Sequence, residues 1–287
     1  MNKRLTPIRL LVLLAVLVFT ASAFAKDQPH AVIVIGTQHY SPERSMPLFA
    51  KELERFGFDV TIVKGEGDPE IKDYRVLPGI EALAEADVAI FFCRFMILDD
   101  YEFGFIHDYI TSGKGFVGIR TATHSFMYPK GHKLEKWNEG FGRRAMGNPY
   151  IVHQSGTTEC EVLENKAPHP ILSHVKQKTF TSTGSLYLTR LEPGVIPLVM
   201  GTGVGRSRLL NKPSGPLITS EIEKDIVAWA WENEWGAKVF GTSLGDPGDF
   251  AEESIVRILL NGVCWAADQP LPGADAKVTT WKIERNH

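Results

Sequence analysis

The chain has 287 residues with 31 basic and 34 acidic side chains, so its net charge at neutral pH is −3. An acidic balance without a long basic run argues against nucleic acid as a partner. Hydrophobic residues make up 44% of the sequence, as in ordinary globular proteins. The length suits one large α/β domain.

Residues 1–25 have the three parts of a secretory signal peptide. Basic residues precede an apolar run from Leu10 to Phe19, and Ala23-Phe24-Ala25 forms a small-residue cleavage site. A membrane anchor is the alternative interpretation, but the run is shorter than the roughly 20 residues that span a bilayer. We therefore predict cleavage before Lys26 and a single secreted or periplasmic domain over 26–287, with no stable membrane span.

The mature chain begins with alternating strand and helix patterns. The apolar run Ala31–Gly36 predicts a strand buried on both faces, Met46–Phe56 has helical spacing, and Phe58–Val63 returns to a strand pattern. The alternation continues with a helix at Ile80–Ala84, a strand at Val88–Cys93, a helix at Tyr101–Ser112 and a strand at Phe116–Ile119. This order predicts an α/β fold with a doubly wound, mainly parallel sheet, whose ligands bind at the carboxyl ends of the strands.

After about Gly147 the pattern changes to shorter strand-like pieces, at Glu159–Leu163, Thr179–Leu188, Ile196–Gly201, Ile226–Trp231 and Lys238–Leu244. We interpret them as mixed or antiparallel strands added to the same sheet. The stretch Thr202–Ser220 is rich in Gly, Ser and Pro and predicts a loop. A last amphipathic helix is expected over Phe250–Ala267.

The segment Gly115–His124 predicts a buried strand, a sharp turn and a helix. That is the shape of a nucleophile elbow, in which one strained residue stands at the top of a parallel sheet. Arg120 occupies this position. An arginine stays protonated and cannot attack a carbonyl, but its five N–H donors suit oxyanions and sugar hydroxyls. Gly36–Tyr40 and Arg94 follow other strands and are expected at the same edge of the sheet.

Two further polar residues are candidates for acid–base chemistry. His124 is either a general acid/base or orienting donor near Arg120, or a helix-facing histidine bonded to a carbonyl. Asp246 is either an acid/base or ligand-binding carboxylate, or a buried partner of Arg120. No His-Glu-x-x-His or paired-cysteine motif is present in the sequence, and we predict no metal and no cofactor.

Several aromatic and sulfur-containing residues have two interpretations. Aromatic rings either stack on a sugar or fill the core. Trp137 has polar neighbours and is the better candidate for the wall of a binding pocket. Trp229 is predicted to lie in the core. Three cysteines leave at least one unpaired, and Cys93 and Cys264 are predicted to be buried thiols rather than redox groups.

Motifs spread over Ala31–Ala267 resemble the trehalose-utilisation (ThuA-like) family. The similar segments are Gly118–His124, Trp137-Asn138, Phe141-Gly142, Gly147, His153, His169-Pro170-Ile171, Val227–Trp229, Val239–Gly245 and Leu260–Ala266. The resemblance implies a class I glutamine-amidotransferase-like, flavodoxin-like fold. It also implies a role in carbohydrate catabolism, with a keto-sugar or disaccharide derivative as ligand.

Amidotransferases of this fold carry the nucleophile in Gly-x-Cys-x-Gly, which matches Gly118, Arg120 and Ala122 here, so no glutaminase activity is expected. Where many relatives carry His, this chain has Asp246, and an acidic pair is replaced by Gly184-Ser185. In the catalytic reading Arg120 holds a substrate oxygen while His124 or Asp246 moves a proton. The expected substrate-binding residues are His39, Tyr40, Thr121, Trp137, Asn138 and His153. The alternative is a non-catalytic sugar-binding or complex-forming exported protein, and homo-oligomerisation is left open.

Overall fold

The protein was analysed as a computed structural model, which describes residues 28–68, 73–164, 167–204, 208–210, 217–218 and 223–285. The predicted signal peptide, residues 1–25, lies outside the described residues, and so does most of the predicted loop at 202–220. Within the described part of the chain, no helix is long and apolar enough to cross a membrane.

Strands and helices alternate in the first half of the chain, and strands dominate the second half. The strands are β1 (His30–Gly36), β2 (Asp59–Lys64), β3 (Glu66–Asp68), β4 (Asp73–Val76), β5 (Val88–Cys93), β6 (Phe116–Ile119), β7 (Tyr150–Gln154), β8 (Thr158–Val162), β9 (Thr179–Ser182), β10 (Tyr187–Thr189), β11 (Ile196–Gly203), β12 (Arg208–Leu210), β13 (Leu217–Ile218), β14 (Lys224–Glu232) and β15 (Lys238–Thr242). The α-helices are α1 (Pro42–Arg55), α2 (Asp100–Thr111), α3 (Trp137–Gly140) and α4 (Glu253–Ala266). Short 3₁₀ turns lie at Ile80–Glu85, Arg120–His124, Pro170–Leu172 and Pro247–Ala251, and a π turn lies at Phe141–Ala145.

The main sheet has nine strands in the order β2-β1-β5-β6-β15-β14-β11-β8-β9. The strands from β2 to β15 pair in parallel, and those from β15 to β9 pair antiparallel. The predicted α/β class and the mixed C-terminal half are confirmed, but parallel pairing covers only half of the sheet. The reason is local: only residues 233–237 separate β14 from β15, and so short a connection joins antiparallel neighbours.

Helices cover both faces of the sheet, as expected for a doubly wound fold. Alternate residues of β1 point to opposite sides, so Ile33 packs in a core with Leu53 of α1 and Leu259 of α4. Val34 packs in a second core with Ile106 of α2. Two buried cores of this kind leave the ends of the strands as the place for polar groups.

Four predicted elements differ from the structure, one of them the loop predicted at 202–220, whose described residues include the strands β12 and β13. The predicted helix at Ile80–Ala84 is a 3₁₀ turn. The predicted strand Thr179–Leu188 is divided into β9 and β10, because Ser182 and Thr183 turn to bind the buried Asp249 carboxylate. β10 then joins a separate four-stranded sheet in the order β10-β7-β12-β13. The last helix begins late, after the Pro247–Ala251 turn.

The cysteines behave as the sequence predicts. Cys93, Cys160 and Cys264 are all free and buried. Burial raises the pKa of Cys160 and of Cys264 to about 12. Burial also raises the pKa of Cys93 far above its ordinary value. Since the thiolate is the reactive form of cysteine, these three side chains are inert structural groups.

After α4 the chain returns across the domain as an irregular C-terminal segment, residues 268–285. The Thr279 N–H donates to the Glu52 carboxylate on α1 at 2.9 Å. The Trp281 N–H donates to the Phe250 carbonyl at 2.7 Å. These bonds direct the segment toward the ends of the parallel strands.

Candidate functional site

Residues with strained backbone lie at the ends of three parallel strands. Tyr40 and Ser41 follow β1, Phe95 follows β5 and Arg120 follows β6, and all four have positive φ, between 49° and 66°. Such values are uncommon for residues other than glycine and cost about 1–3 kcal/mol each. Strain of this kind persists where the surrounding structure enforces it, and it concentrates at functional sites.

Arg120 lies at the elbow after β6 and is buried, with 1% of its surface exposed. Its guanidinium carbon is 4.4 Å from the centre of the Tyr40 ring and 4.3 Å from that of Tyr187. Its Nη1 donates to the Ser185 carbonyl at 3.0 Å and to the Ser243 carbonyl, and its Nη2 donates to Ser185 Oγ at 3.1 Å. The guanidinium is therefore a fixed cation stacked on two phenol rings.

Burial alone would lower the pKa of Arg120, but the neighbouring phenols and the carboxylates of Asp249 and Asp246 raise it above the usual range. The charge is thus permanent. None of the described hydrogen bonds of Arg120 goes to Asp246, so the predicted direct pair between the two is not formed.

Tyr40 and Tyr187 share a hydrogen bond in which Tyr187 Oη donates to Tyr40 Oη over 3.2 Å. Burial raises the pKa of both phenols, and that of Tyr187 stays well above its ordinary value. For Tyr40, the charge of Arg120 and the hydrogen bond from Tyr187 outweigh burial and hold the pKa below the ordinary value. The pair is therefore asymmetric, with Tyr40 as the acceptor.

Two imidazoles lie on the same edge. The Nδ1 of His124 is 3.3 Å from Thr123 Oγ1, and the Nδ1 of His153 is 2.6 Å from Tyr150 Oη. The rings of His124 and Tyr150 are tilted against each other with centres 4.3 Å apart. Among the described residues, none hydrogen-bonds to the Nε2 of either histidine. Each ring is thus fixed through its Nδ1.

Both imidazoles are neutral at neutral pH. Burial, followed by the charges of Arg94 and Arg120, lowers the pKa of His124 well below its ordinary value. Burial and the same two arginines lower the pKa of His153 to about 4. Groups with such low pKa values are weak bases, and they interact with a ligand as neutral hydrogen-bonding groups.

These residues form what we call the edge cluster: Tyr40, Arg120, His124, Tyr150, His153 and Tyr187. It contains four of the residues that the sequence predicts for the site. His39 is next to it, with its ring centre 6.5 Å from that of Tyr40. Thr121 is fully buried, and its hydroxyl has no partner among the described residues.

Trp137 and Asn138 lie in a different aromatic cluster. Trp137 is 3% exposed and contacts Phe103, His107 and Trp235, with ring centres 5.6, 5.4 and 6.5 Å away. Asn138 forms two hydrogen bonds with the backbone of Tyr128. The polar neighbours of Trp137 lie on the exposed side of the short α3, so the ring itself turns inward. We call Phe103, His107, Trp137 and Trp235 the Trp137 cluster.

Asp246 has structural partners. Its carboxylate caps the Pro247–Ala251 turn, accepts a hydrogen bond from Thr183 Oγ1 at 2.8 Å and forms an ion pair with Arg285. Its side chain is 4% exposed. These contacts fix the loop that presents Ser185 to Arg120.

Sequence reasoning missed Tyr150, Ser185, Tyr187 and Arg285. Tyr187 lies opposite His153 in the β7–β10 pairing, a register that no local pattern in the sequence indicates. The Gly184-Ser185-Leu186-Tyr187 segment was the only signal, as a departure from the family pattern. In the described part of the chain, no three His, Cys, Asp or Glu side chains are arranged to hold one metal ion.

A family model described as ThuA, trehalose utilisation, matches residues 30–266. The chain belongs to the ThuA family. A crystal structure of a protein described as ThuA-like, from Parabacteroides merdae ATCC 43184, is similar to it with a TM-score of 0.52 and 14% identity over 90% of this chain and 98% of that chain. The likeness shows a ThuA-like fold.

The mmIFT52 N-terminal domain gives a TM-score of 0.45 and 10% identity over 82% of this chain and 96% of that one. A search of curated proteins found no match. The ThuA match includes the whole edge cluster and ends before the C-terminal segment that carries Arg285. The family connects this chain with trehalose utilisation, that is, with carbohydrate catabolism.

Proposed function

We propose that the edge cluster binds a carbohydrate derivative and performs acid–base chemistry on it. The observation that carries this proposal is the pair of neutral imidazoles, His124 and His153, each fixed through Nδ1 and with no described partner at Nε2. Neutral hydrogen-bonding groups beside aromatic rings suit a sugar, which has hydroxyls around its rim and C–H groups on its faces.

The role of Arg120 in this proposal is electrostatic. Its described N–H donors point at Ser185 and Ser243 rather than outward, and its faces are covered by Tyr40 and Tyr187. A buried positive charge stabilises negative charge that develops on a nearby substrate oxygen, because water does not screen it there. His124 in its neutral form hydrogen-bonds that oxygen, and His39 and His153 bind further hydroxyls.

We assign two of the predicted residues to the support of the site. Asp246 is held by Thr183 and Arg285, and Thr121 is buried beside Arg120. Two others are assigned to packing elsewhere: Trp137 belongs to the Trp137 cluster, and Asn138 hydrogen-bonds the Tyr128 backbone. The family match supports the substrate class that we propose, trehalose or a keto derivative of such a disaccharide.

Two finer expectations complete the proposal. The fold is of the class I glutamine-amidotransferase type, with Arg120 at the nucleophile position, so the protein does not release ammonia from glutamine. The chain is exported, and intact-mass analysis of protein from its native host is expected to show a start at Lys26. Full-length protein in the cytoplasm would contradict export.

The test uses the mature chain with trehalose and with trehalose oxidised to a ketone at one ring carbon. Binding is measured by calorimetry and conversion by NMR, with and without a chelator. We expect conversion that His124→Gln abolishes and that His107→Gln, the same change in the Trp137 cluster, leaves intact. Binding without conversion would support the non-catalytic alternative. Neither binding nor conversion by folded protein would overturn the proposal, and loss with chelator would overturn the metal-free expectation.

A further inference from the structure

Of the two tyrosines that stack on Arg120, only Tyr40 is accessible to a ligand. Arg120 and Tyr187 are buried, with 1% and 3% of their surfaces exposed, whereas Tyr40 is partly exposed. The positive φ of Tyr40, 66°, and of Ser41, 52°, turns the chain between β1 and α1. The fold therefore sustains strain at the residue that stacks on Arg120.

The groups around the phenol favour its ionised form. The guanidinium of Arg120 stacks at 4.4 Å, and Tyr187 donates a hydrogen bond to Tyr40 Oη. A second guanidinium, that of Arg285, has its carbon 5.6 Å from the ring centre. The Ser185 side chain also hydrogen-bonds Tyr40, and His39 lies at 6.5 Å between ring centres. Arg285 is ion-paired with Asp246, so their opposite charges offset each other.

We infer that Tyr40 is the proton acceptor of the edge cluster, with Arg120 and Tyr187 as the positioning residues that stabilise its phenolate. This assignment rests on the proposed function for its substrate and on the geometry of the sandwich for its chemistry.

Exposure distinguishes the two tyrosines. Tyr40 is partly exposed and can meet a ligand, whereas Tyr187 is 3% exposed. The electrostatics agree: burial raises the pKa of both, but only for Tyr40 do Arg120 and Tyr187 reverse the effect. The imidazoles are poor alternatives, since the pKa of His124 is lowered well below that of a useful base.

In the proposed step, Tyr40 Oη forms a bond to a proton of the ligand, taken from a hydroxyl or from a carbon beside a ketone. The bond between that proton and the ligand breaks, and its electron pair stays on the ligand. Arg120 keeps its charge throughout, and the neutral His124 hydrogen-bonds the oxygen that becomes negative. The proton later returns to the product or to water, so no other reactant is consumed.

The first measurement is ionisation of Tyr40 without any sugar. Phenolate absorbance near 295 nm is followed with pH for the mature protein and for Tyr40→Phe, and their difference gives the titration of Tyr40. We expect its midpoint below that of a free phenol, about 10. Tyr187→Phe keeps the ring beside Arg120 but removes the donated hydrogen bond, so the midpoint is expected to rise. A midpoint for Tyr40 at or above 10 would overturn the inference.

The second measurement is the pH profile of conversion of the oxidised disaccharide. Tyr40→Phe is expected to lower kcat by about 10²- to 10⁴-fold, the usual range for a general base. Tyr187→Phe is expected to lower it less and to move the rising limb to higher pH. Tyr101→Phe, an exposed tyrosine on α2, is the control and leaves conversion unchanged. Full activity in Tyr40→Phe would overturn the inference. A low Tyr40 midpoint with no conversion of any sugar would instead count against the proposed function.

Discussion

Arg120 and Arg144 each stack on two aromatic rings, but in very different surroundings. Arg120 is buried between Tyr40 and Tyr187 in the edge cluster. Arg144 lies over Trp137 and Trp235, at 5.7 and 5.1 Å, with 46% of its side chain exposed and an ion pair to Glu234. Water screens the charge of Arg144, so it contributes little beyond packing.

The two clusters thus use similar residues for different purposes. In the edge cluster the buried charge shifts the pKa values of Tyr40, His124 and His153, and strained backbone holds the groups in place. In the Trp137 cluster the ring centres lie 5.4 to 6.5 Å apart, and none of its residues has a positive φ. The two clusters have similar aromatic and histidine content, but only the edge cluster surrounds a buried arginine.

The largest expected effect is on stability, in the Trp137 cluster. Trp137→Ala removes a buried ring and is expected to lower the free energy of unfolding by about 3–5 kcal/mol. Chemical denaturation measures this loss. Sugar binding by the folded fraction is expected to stay unchanged, and a loss of binding would show that Trp137 lines the pocket after all.

Exchanging each arginine for lysine compares the two stacks directly. Arg120→Lys keeps the charge but loses the planar donors to Ser185 and Ser243, and we expect a loss of about 2–3 kcal/mol in unfolding free energy. Arg144→Lys is expected to cost less than about 1 kcal/mol, because its ion pair is exposed. Urea unfolding of the two variants in parallel gives both values. Equal losses would remove the distinction between the clusters.

The edge cluster is also expected to make stability depend on pH. The pKa of His153 is about 4 in the folded protein and about 6.5 when unfolded, so the unfolded chain binds the extra proton between these values. Stability is therefore full above pH 6.5 and falls as the pH drops toward 4. His153→Gln is expected to make the melting temperature fall less over this range than in the parent protein, whereas His107→Gln keeps the parent slope. Identical slopes in all three proteins would contradict the neutral imidazole.

The smallest expected effect is that of Arg120→Cys on glutaminase activity, which we expect to stay absent. Arg120→Cys places a thiol at a strained backbone position, whereas the backbone at Arg144 is not strained. No His-x-Asp or His-x-Glu sequence follows residue 120, so no such motif can activate the thiol. Incubation with glutamine is expected to release no ammonia above background, for the parent protein and for this variant. Ammonia release by either would show that the elbow retains amidase machinery.

The sequence predicts the fold well where its signals are local. The buried strands β1, β5 and β6 are continuous apolar runs, and their order along the chain determines the parallel half of the sheet. The elbow was predicted from the residues around Arg120, and its positive φ bears this out. The antiparallel half was recognised as different, but its pairing depends on turns and long-range register.

Only some residues of the candidate site can be predicted from the sequence, for a similar reason. Residues that follow strand ends, such as Tyr40 and His124, can be placed at one edge by topology alone. Tyr187 and Arg285 come from a separate sheet and from the C-terminal segment, and nothing local marks them. The polar residues beside Trp137 lie on the exposed side of a short helix, whereas its ring packs inward against Phe103 and Trp235, so the pocket role of Trp137 stays a prediction.

The C-terminal segment bears on how the gene should be trimmed and tagged. The family match ends at residue 266, and a chain cut there would be a natural choice for expression. Such a chain would lack the Thr279 bond to Glu52 and the Arg285 pair with Asp246, and it would uncover the side of Tyr40 that Arg285 approaches. Expression boundaries should therefore extend past the recognised domain and include Arg285.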